Sequence, residues 1–509
     1  MQLNRRNFIK VLAAGGIAAV STEAIYKVLT AAPAGALKPL PATERDPVTY
    51  AIARLTFGPT PDLIQHVRTI GAAAFLEEQL NPQDLDDSDM NRRLREFPYL
   101  RQDPGELMAA FADERRVLEA QFAGGTILRA MYSQRQLFER VVGFWSDHFN
   151  IYIGKGFVLP LKVVDDRDVI RRYALDNFRE LLGASAHSPA MLYYLDNAQN
   201  ERSAPNENYA RELMELHTIG VTGGYTEDDV KEVARAFTGW TIVPPRANPR
   251  RPVAGEPATF SFTPERHDDG AKTVMGLNIP AGRGERDGEL VLDLLASHPA
   301  AAQLISSKLA WRFVADSPPQ SVVDAGAETF RQTGGDLRAT LRTILTSPEF
   351  WNAAPKLKRP FEYTMSLLRA LNYDVRVGER FARVVVGALA QMGHVPFTRV
   401  TPDGFPDASG YWANNLLPRW NAALTVTEGT INGADARPQQ LINWLRANQV
   451  PLEGEPLLLF LGEYFFGRPL SEPERQIVMD FVVSVPGTPE EKVAAGIGLL
   501  LASPAFQYI

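Results

Sequence analysis

The sequence has no cysteine among its 509 residues. This absence excludes disulfide bonds, thiolate zinc sites, iron–sulfur clusters, cysteine nucleophiles and a lipidated cysteine anchor. A basic excess is also missing, since the net charge is −7. A nucleic-acid binder normally shows a basic domain or stripe, so we expect no nucleic-acid partner. The hydrophobic fraction of 45% and the charged fraction of 22% are ordinary globular values and exclude overall disorder.

Long hydrophobic runs are absent too. No stretch reaches the roughly 18 uninterrupted apolar residues that a transmembrane helix needs, so we expect no span in the mature protein. Near the N-terminus, Arg5-Arg6 precede a weakly apolar run at 11–20 and small residues at 32–36. This order is typical of a removable export signal, and the paired arginines resemble the twin-arginine signal. We predict a signal peptide over residues 1–36 and a periplasmic or secreted protein exported by the twin-arginine pathway.

Helical periodicity dominates the rest of the chain. Apolar residues recur at three and four positions over 46–240 and again from Glu289 onward, the period of an α-helix. Three helix starts stand out: Thr60 and Ser188 each precede a proline, and Thr226 precedes an aspartate by three positions. The chain is therefore expected to fold mainly as α-helices.

One segment, near residues 242–276, interrupts the helical pattern with prolines, glycines and arginines. Within it, residues 259–262 alternate and residues 272–275 follow an Asp-Gly pair, which favours a small β-hairpin. The predicted fold is a large multi-helix array with this small non-helical insertion. We predict a helical domain at 45–315 that carries the candidate site, and a C-terminal helical region at 316–509 packed on it.

Three histidines define the candidate site. On a helical wheel, His148 falls within a continuous apolar arc of residues 137–150, and His217 falls on the apolar side of residues 207–217. His187 immediately precedes the predicted helix start at Ser188. A single core histidine is most simply explained by a hydrogen bond to a backbone carbonyl. Because apolar faces of neighbouring helices meet, three such histidines instead favour one shared polar site.

We therefore expect at least two of these imidazoles to lie within about 8 Å of each other, close enough to share a metal, a water or a substrate atom. A carboxylate from Glu212, Glu215, Asp147 or Asp196 should lie near them. The wheel places Glu212 about 140° from His217, so this helix alone is no HExxH-like zinc site. A divalent metal could take part only with ligands from other segments.

The polar side of residues 207–215 has two interpretations. It is either a solvated helix face with ordinary i, i+4 ion pairs, or a cleft wall in which Arg211 and Asn208 hold Glu212 and Glu215.

The insertion contributes His267, followed by two aspartates and a glycine. This group could bind a cation or serve acid–base chemistry, or it could simply form a turn. The insertion as a whole is predicted to cover a cleft as a lid. Lys272 and Lys308 are isolated in the sequence and are expected to face solvent.

The sequence has no Gly-x-Ser-x-Gly elbow and no phosphate-binding loop. The candidate residues fall into two groups. The catalytic candidates are His148, His187, His217, Glu212, Glu215 and Asp147. The candidate substrate-contacting residues are Trp145, Asn208, Arg211, Trp240 and His267.

Several motifs together resemble the bacterial domain-of-unknown-function-1800 family. They are FWSDHF at 144–149, MLYYLDN at 191–197, NENYARELMELHT at 206–218, GGYT at 223–226, ARAFTGW at 234–240 and HDDGAK at 267–272, with RLTFGP at 54–59 and KLAWRF at 308–313. The resemblance implies an exported, largely helical protein that often carries a twin-arginine signal. It also implies that another exported, sulfatase-like protein could be a partner, because genes of the two families are often neighbours. It implies no reaction and no catalytic residue.

Two classes of function remain open. The first is an exported hydrolase that acts on a cell-envelope or extracellular polymer with histidine and carboxylate groups. The second is a non-catalytic envelope protein that binds or assembles with another exported partner. Titratable groups gathered in a concave pocket would favour the enzyme, whereas a flat apolar patch would favour assembly.

Overall fold

The computed structural model describes residues 22–33, 36–39, 45–244, 255–373, 379–427 and 438–509. Helices dominate these residues, and the described strands form two small antiparallel sheets of two strands each. The predicted mainly α class with a small non-helical insertion is therefore confirmed. The chain divides into two compact units, the first made of Met1–Leu76, Pro355–His394 and Ser409–Ile509, the second of Glu77–Ala354 and Val395–Ala408. A domain boundary at residues 315 and 316 stays a prediction.

The first unit is built from helices around a buried tyrosine. The hydroxyl of Tyr363 donates to the carbonyl oxygens of Arg419 at 3.3 Å and Leu501 at 3.0 Å, which ties three helices together. Its described helices are Thr22–Ala31, Pro47–Leu55, Pro61–Ile70, Pro360–Ala370, Glu379–Gln391, Ser409–Trp412, Leu416–Thr427, Gln439–Ala447, Gly454–Phe466, Glu472–Ser484, Pro489–Ala502 and Pro504–Gln507. The helix Ala72–Leu80 crosses the division between the units.

Part of the predicted signal peptide has a described structure. The helix Thr22–Ala31 packs against Leu416–Thr427, with Ile25 fully buried and the rings of Tyr26 and Trp420 6.0 Å apart. The twin-arginine pattern itself lies outside the described residues. Within the described residues, no helix combines the length and the apolar character needed to cross a bilayer.

The second unit carries the candidate site. Its helices are Ser88–Arg93, Pro104–Tyr132, Gln136–His148, Val158–Asp165, Arg171–Tyr173, Phe178–His187, Pro189–Tyr194, Glu207–Glu212, Glu227–Ala236, Arg286–Ser297, Pro299–Phe313, Gln320–Gln332, Leu337–Thr346 and Pro348–Trp351. Two further segments, Asp166–Ile170 and Leu213–Thr218, are π-helices. A π-helix in an otherwise α-helical element is uncommon and is often associated with a functional site.

The three predicted helix starts are confirmed. Thr60 accepts a hydrogen bond from the Leu63 amide, and Thr226 forms a capping box with Asp229. Ser188 also stands at a helix N-cap, although its hydroxyl donates to the Asp165 carboxylate and makes no capping hydrogen bond. These local signals needed only the sequence, because a cap satisfies backbone amides within its own first turn.

The non-helical insertion contains two hairpins, and the pairing expected from the sequence is wrong. Phe260–Phe262 pairs with Trp240–Ile242, and Lys272–Val274 pairs with Leu277–Ile279. The two alternating runs thus pair with strands on either side of them instead of with each other. The turn Pro264–Arg266 and the buried His267 lie between the two runs. Residues 245–254, which include three of the arginines of the expected lid, lie outside the described residues.

Candidate active site

Two of the three histidines meet in the core of the second unit. The rings of His148 and His217 are 6.0 Å apart, and both side chains are buried. The expectation that at least two imidazoles converge is therefore confirmed. A lysine joins them: the Lys308 amine lies 3.1 Å from Nδ1 of His148 and donates to the carbonyl oxygen of Leu216 at 3.1 Å.

The hydrogen bonds of His148 define its proton arrangement. Its Nε2 lies 3.0 Å from the carbonyl oxygen of His217, which can only accept, so Nε2 carries the proton. In the neutral ring Nδ1 is then left as an acceptor for the Lys308 amine. The backbone of one histidine thus orients the ring of the other, and that ring in turn orients the lysine.

The three groups come from three different elements. His148 is the last residue of Gln136–His148, His217 lies in the π-helix Leu213–Thr218, and Lys308 lies in the last two turns of Pro299–Phe313. The helical-wheel argument does not apply within this π-helix, because the rotation of 100° per residue that it assumes holds only for an α-helix. His217 is buried as expected, but the calculated angle between it and Glu212 does not apply beyond residue 212.

Burial sets the charge of this cluster. Together with the nearby charge of Lys308, it lowers the pKa of His148 well below its ordinary value and that of His217 to about 3. Burial also lowers the pKa of Lys308 to about 8, while Asp407 and Asp403 oppose that change. Both imidazoles are therefore neutral at physiological pH, and the amine titrates within the range in which a general base is useful.

The His148 ring is enclosed by aromatic side chains. Its centroid lies 5.2 Å from that of Trp145, 4.6 Å from that of Phe149 and 6.1 Å from that of Phe144. The Nε2 atom of His217 is buried without a hydrogen-bond partner among the described residues. This apolar enclosure explains why the protonated imidazoles are disfavoured, since a charge in such surroundings loses its hydration.

A loop at residues 395–408 is fastened beside the cluster. Asn150 donates to the carbonyl oxygens of Arg399 at 3.0 Å and Thr401 at 2.8 Å. The Tyr194 hydroxyl donates to the carbonyl oxygen of Val400 at 2.7 Å. Gly404 adopts φ +73°, and a Cβ there would lie 2.1 Å from the carbonyl oxygen of Asp147. The loop backbone therefore approaches the end of the His148 helix so closely that only glycine fits.

Arg312 completes this arrangement. One turn after Lys308, it donates to the Asp147 carboxylate at 2.7 Å and forms an ion pair with Asp407 at 2.5 Å. It thus links the lysine helix, the end of the histidine helix and the loop. The Asp147 carboxylate is therefore held by Arg312.

Glu212 lies in the same region and carries a raised pKa. Burial is the main cause, and the charges of Glu215 and Asp403 add to it. Burial and the charge of Glu212 raise the pKa of the Tyr194 hydroxyl to about 12. Glu212, Tyr194 and the loop residue Asp403 therefore influence one another. Asp196, the fourth carboxylate considered, instead accepts a hydrogen bond from Lys155 at 2.6 Å.

His187 belongs to a different cluster. Its Nε2 lies 3.2 Å from the Glu289 carboxylate, and its ring centroid lies 4.4 Å from that of Trp240 and 4.5 Å from that of Phe260. Burial lowers its pKa, but hydrogen bonds to Glu289 and to the carbonyl oxygen of Gly183 outweigh burial, so the net pKa is raised. His148 and His217 therefore form a pair, and His187 lies in a separate cluster.

Of the two interpretations of the polar side of residues 207–215, the cleft wall held by Arg211 and Asn208 is not seen in the described contacts. Arg211 donates to Glu227 at 2.7 Å and pairs with Glu207 at 3.3 Å, while Asn208 donates to the Leu195 carbonyl oxygen at 3.1 Å. The turn at 223–224 folds the next helix back beside the first, which brings Glu227 within reach of Arg211. Neither Arg211 nor Asn208 donates to Glu212 or Glu215 in the described contacts.

His267 takes part in a buried ionic cluster, and Lys272 belongs to it. Asp287 lies 3.2 Å from Nε2 of His267 and accepts from the Lys272 amine at 2.6 Å, and all three residues are buried. The expectation that Lys272 and Lys308 face solvent is therefore wrong. In both cases, a helix from elsewhere in the sequence supplies an acceptor that compensates part of the cost of burying the amine.

The remaining candidates are core residues. Trp145 and Trp240 are fully buried, and the indole nitrogen of Trp145 donates to the carbonyl oxygen of Ala174 at 2.9 Å. In the described part of the insertion, the hairpin residues Trp240 and Phe260 contact His187, and no contact joins them to the His148–His217 pair. A lid over that pair is therefore without support from the described residues. Those residues also contain no group of three or more histidine, aspartate or glutamate side chains that could hold a metal ion.

Sequence reasoning missed Lys308, Arg312 and the loop carboxylates. One signal was present for the first two: Lys308 lies three positions after the buried Ile305 and four before Arg312, on one face of their helix. No comparable signal marks Asp403 and Asp407, because a loop carries no periodicity.

Fold and site together define a mainly helical protein with a buried histidine pair beside a lysine that titrates near neutrality. The chain belongs to the family described as protein of unknown function (DUF1800), whose model matches residues 50–508. No curated protein matches the chain. No solved structure matches it either.

Proposed function

We propose that this protein is an exported hydrolase that acts on a cell-envelope or extracellular polymer, with Lys308 as its general base. The observation that carries the proposal is the contact between the Lys308 amine and Nδ1 of His148 at 3.1 Å, in surroundings that lower the pKa of the amine to about 8. Perturbed titratable groups of this kind concentrate at functional sites. In this proposal the proton is transferred by Lys308 and not by the histidines, which remain neutral.

The hydrogen bonds of the amine orient it for this role. A neutral amine has two N–H bonds and one lone pair, and Lys308 has two described acceptors, His148 Nδ1 and the Leu216 carbonyl oxygen. When both N–H bonds are used, the lone pair points away from the cluster and can accept a proton from a water molecule. The side chain of Lys308 is only half-buried, so water can reach it.

Glu212 is the proposed acid. Its pKa is raised mainly by burial, the environment that is typical of a carboxyl group acting as a general acid. Arg312, held between Asp147 and Asp407, fixes the loop beside the lysine helix. The scheme therefore has a base, an acid and a rigid frame, and it requires no metal.

Export through the twin-arginine pathway is a second part of the proposal. It is supported by Arg5-Arg6, the apolar run and the small residues that follow. Replacing both arginines with lysine should greatly reduce the amount of mature protein in the periplasm, measured by fractionation and mass spectrometry. Unchanged export of that variant would contradict this part. The sulfatase-like partner stays a prediction.

The test of the catalytic proposal is a screen for hydrolysis with protein purified from its native export route. We expect one polymer substrate to be hydrolysed, with a rate that rises with pH through an apparent value near that of Lys308, about 8. Lys308→Met should lower kcat about 100-fold or more, as loss of a general base does. His148→Gln should lower it less and shift the pH profile.

Lys231→Met, which removes an exposed lysine of the same unit, is the matched control and should retain full activity. Full activity of Lys308→Met on the substrate found would refute the assignment of the base. No hydrolysis in a screen that covers glycans, esters and peptides would contradict the enzyme and favour the assembly role.

A further inference from the structure

We infer that the side chain of Trp311 is a binding platform for a glycan that carries no acidic groups, adjacent to the proposed base. The inference rests on the proposed function, because it names the substrate class of the same site. Its starting point is an anomaly: Trp311 is 41% exposed, whereas tryptophan is usually largely buried.

The position of Trp311 connects it to the site. It follows Lys308 by three residues in the helix Pro299–Phe313, and side chains three apart in an α-helix are surface neighbours, with Cβ atoms about 5–6 Å apart. The next residue, Arg312, is the one that holds Asp147 and Asp407. The exposed Trp311 ring thus shares a helix surface with Lys308, and the residue after it contacts the fastened loop.

The loop presents a second exposed apolar side chain. Val400 is 62% exposed, while its carbonyl oxygen is held by the Tyr194 hydroxyl at 2.7 Å. Asp403, from the same loop, acts on both Lys308 and Glu212. The loop therefore adds an apolar surface within the same electrostatic environment as the proposed base and acid.

A sugar ring matches these surfaces. It has an apolar face of C–H groups that packs on a flat aromatic side chain, and hydroxyl groups at its edge that need polar partners. An extended aliphatic ligand would not need the surrounding carboxylates, and a peptide would require a backbone edge that no described strand near Lys308 provides. The platform therefore favours a saccharide unit placed on Trp311 with its linkage toward Lys308.

The charges around the platform exclude acidic glycans. Carboxylates outnumber basic groups there, and each arginine is already paired with a carboxylate. The carboxylates are Asp147, Glu207, Glu212, Glu215, Glu227, Asp403 and Asp407, and the basic groups are Lys308, Arg211, Arg312 and Arg399. An anionic polymer would meet net repulsion here, while a neutral or amino-bearing glycan would not. A protonated amino group could also interact favourably with the tryptophan ring.

The test separates binding from hydrolysis. Full-length protein and the Lys308→Met variant are titrated calorimetrically with three soluble oligosaccharides: a neutral N-acetylated amino-sugar oligomer, its deacetylated cationic form and an oligogalacturonate. We expect both proteins to bind the first or the second with similar affinity and to bind the oligogalacturonate at least about tenfold more weakly. Trp311→Ala should weaken glycan binding about tenfold or more, and Trp311→Phe should restore most of it.

Tyr411→Ala is the matched control, because Tyr411 is an exposed aromatic residue of the other unit; it should leave binding unchanged. Equal affinity of Trp311→Ala, strongest binding of the oligogalacturonate, or no binding of any oligosaccharide would each overturn the inference. Hydrolysis of a non-glycan polymer through Lys308 would overturn it while leaving the proposed function intact. Binding of a glycan without any hydrolysis would support the platform and contradict the enzyme.

Discussion

Replacing Lys308 with methionine tests the electrostatics of the site through stability alone. The substitution keeps a long side chain and removes the amine. Each pKa unit corresponds to about 1.4 kcal/mol, and lysine ordinarily has a pKa of about 10.4. Because the folded protein lowers the pKa of Lys308 to about 8, the protonated amine destabilises the fold. Full desolvation would make this about 3 kcal/mol, and partial solvent access of the side chain reduces the expected value to about 1–3 kcal/mol.

The sign of the pH dependence follows from proton binding. Below pH 8 the folded and unfolded chains both hold the proton, and the protonated amine destabilises the wild-type fold by its full amount. Between about pH 8 and 10.4, the folded chain has released the proton while the unfolded chain still binds it, so wild-type stability rises with pH. Lys308→Met has no such titration. Its loss of two hydrogen bonds, about 0.5–1.5 kcal/mol each, is an offset independent of pH in this range.

The assay is denaturant unfolding of both proteins from pH 7 to 10.5. The wild-type free energy of unfolding, minus that of Lys308→Met, should increase by about 1–3 kcal/mol across this range. Taking the difference cancels the groups that titrate equally in both proteins. Lys231→Met, at an exposed position, should show no such increase. A difference that stays flat or falls above pH 8 would refute the argument that Lys308 is desolvated.

Three further outcomes are expected. Because the contact with Glu289 raises the pKa of His187, the protonated ring stabilises the fold below about pH 6.5, and this contribution is lost as pH rises through the raised pKa. His187→Gln should therefore remove this pH dependence of the free energy of unfolding. If the variant kept the same dependence on pH, the contact with Glu289 would be contradicted. Gly404→Ala places a Cβ 2.1 Å from the carbonyl oxygen of Asp147. It should therefore lower the free energy of unfolding by about 1–3 kcal/mol and reduce activity by displacing the loop. A variant as stable and active as the wild type would show that the loop does not approach Asp147 so closely. Thr226→Ala removes a helix cap and should cost about 0.5–2 kcal/mol, measured as a lower denaturation midpoint with unchanged activity, whereas Thr226→Ser should be near wild type.

Local features of the protein were determined by the sequence itself. The mainly α class, the helix caps and the burial of His148 follow from apolar periodicity and from side chains that satisfy their own first turn. The family also follows from the sequence, because its motifs extend over nearly the whole chain. Each of these depends on interactions within one helix, or on residue identity alone.

Only the tertiary structure decided which groups share a site. His187 precedes a helix as predicted, yet its ring packs against the first hairpin and Glu289 instead of joining the other histidines. The same holds for the two hairpins, because each alternating run found a partner strand outside the predicted pair. Pairing across the chain depends on how elements pack, which periodicity does not encode.

The lysines show the physical reason most directly. An isolated lysine is expected to face solvent because burying an ammonium group without partners is costly. Lys308 is half-buried because His148 and the Leu216 carbonyl oxygen, more than 90 residues earlier in the chain, accept its hydrogen bonds. Lys272 is buried because Asp287 faces it. The cost of burial is a property of the residue, whereas the acceptors that offset it exist only after distant helices have packed.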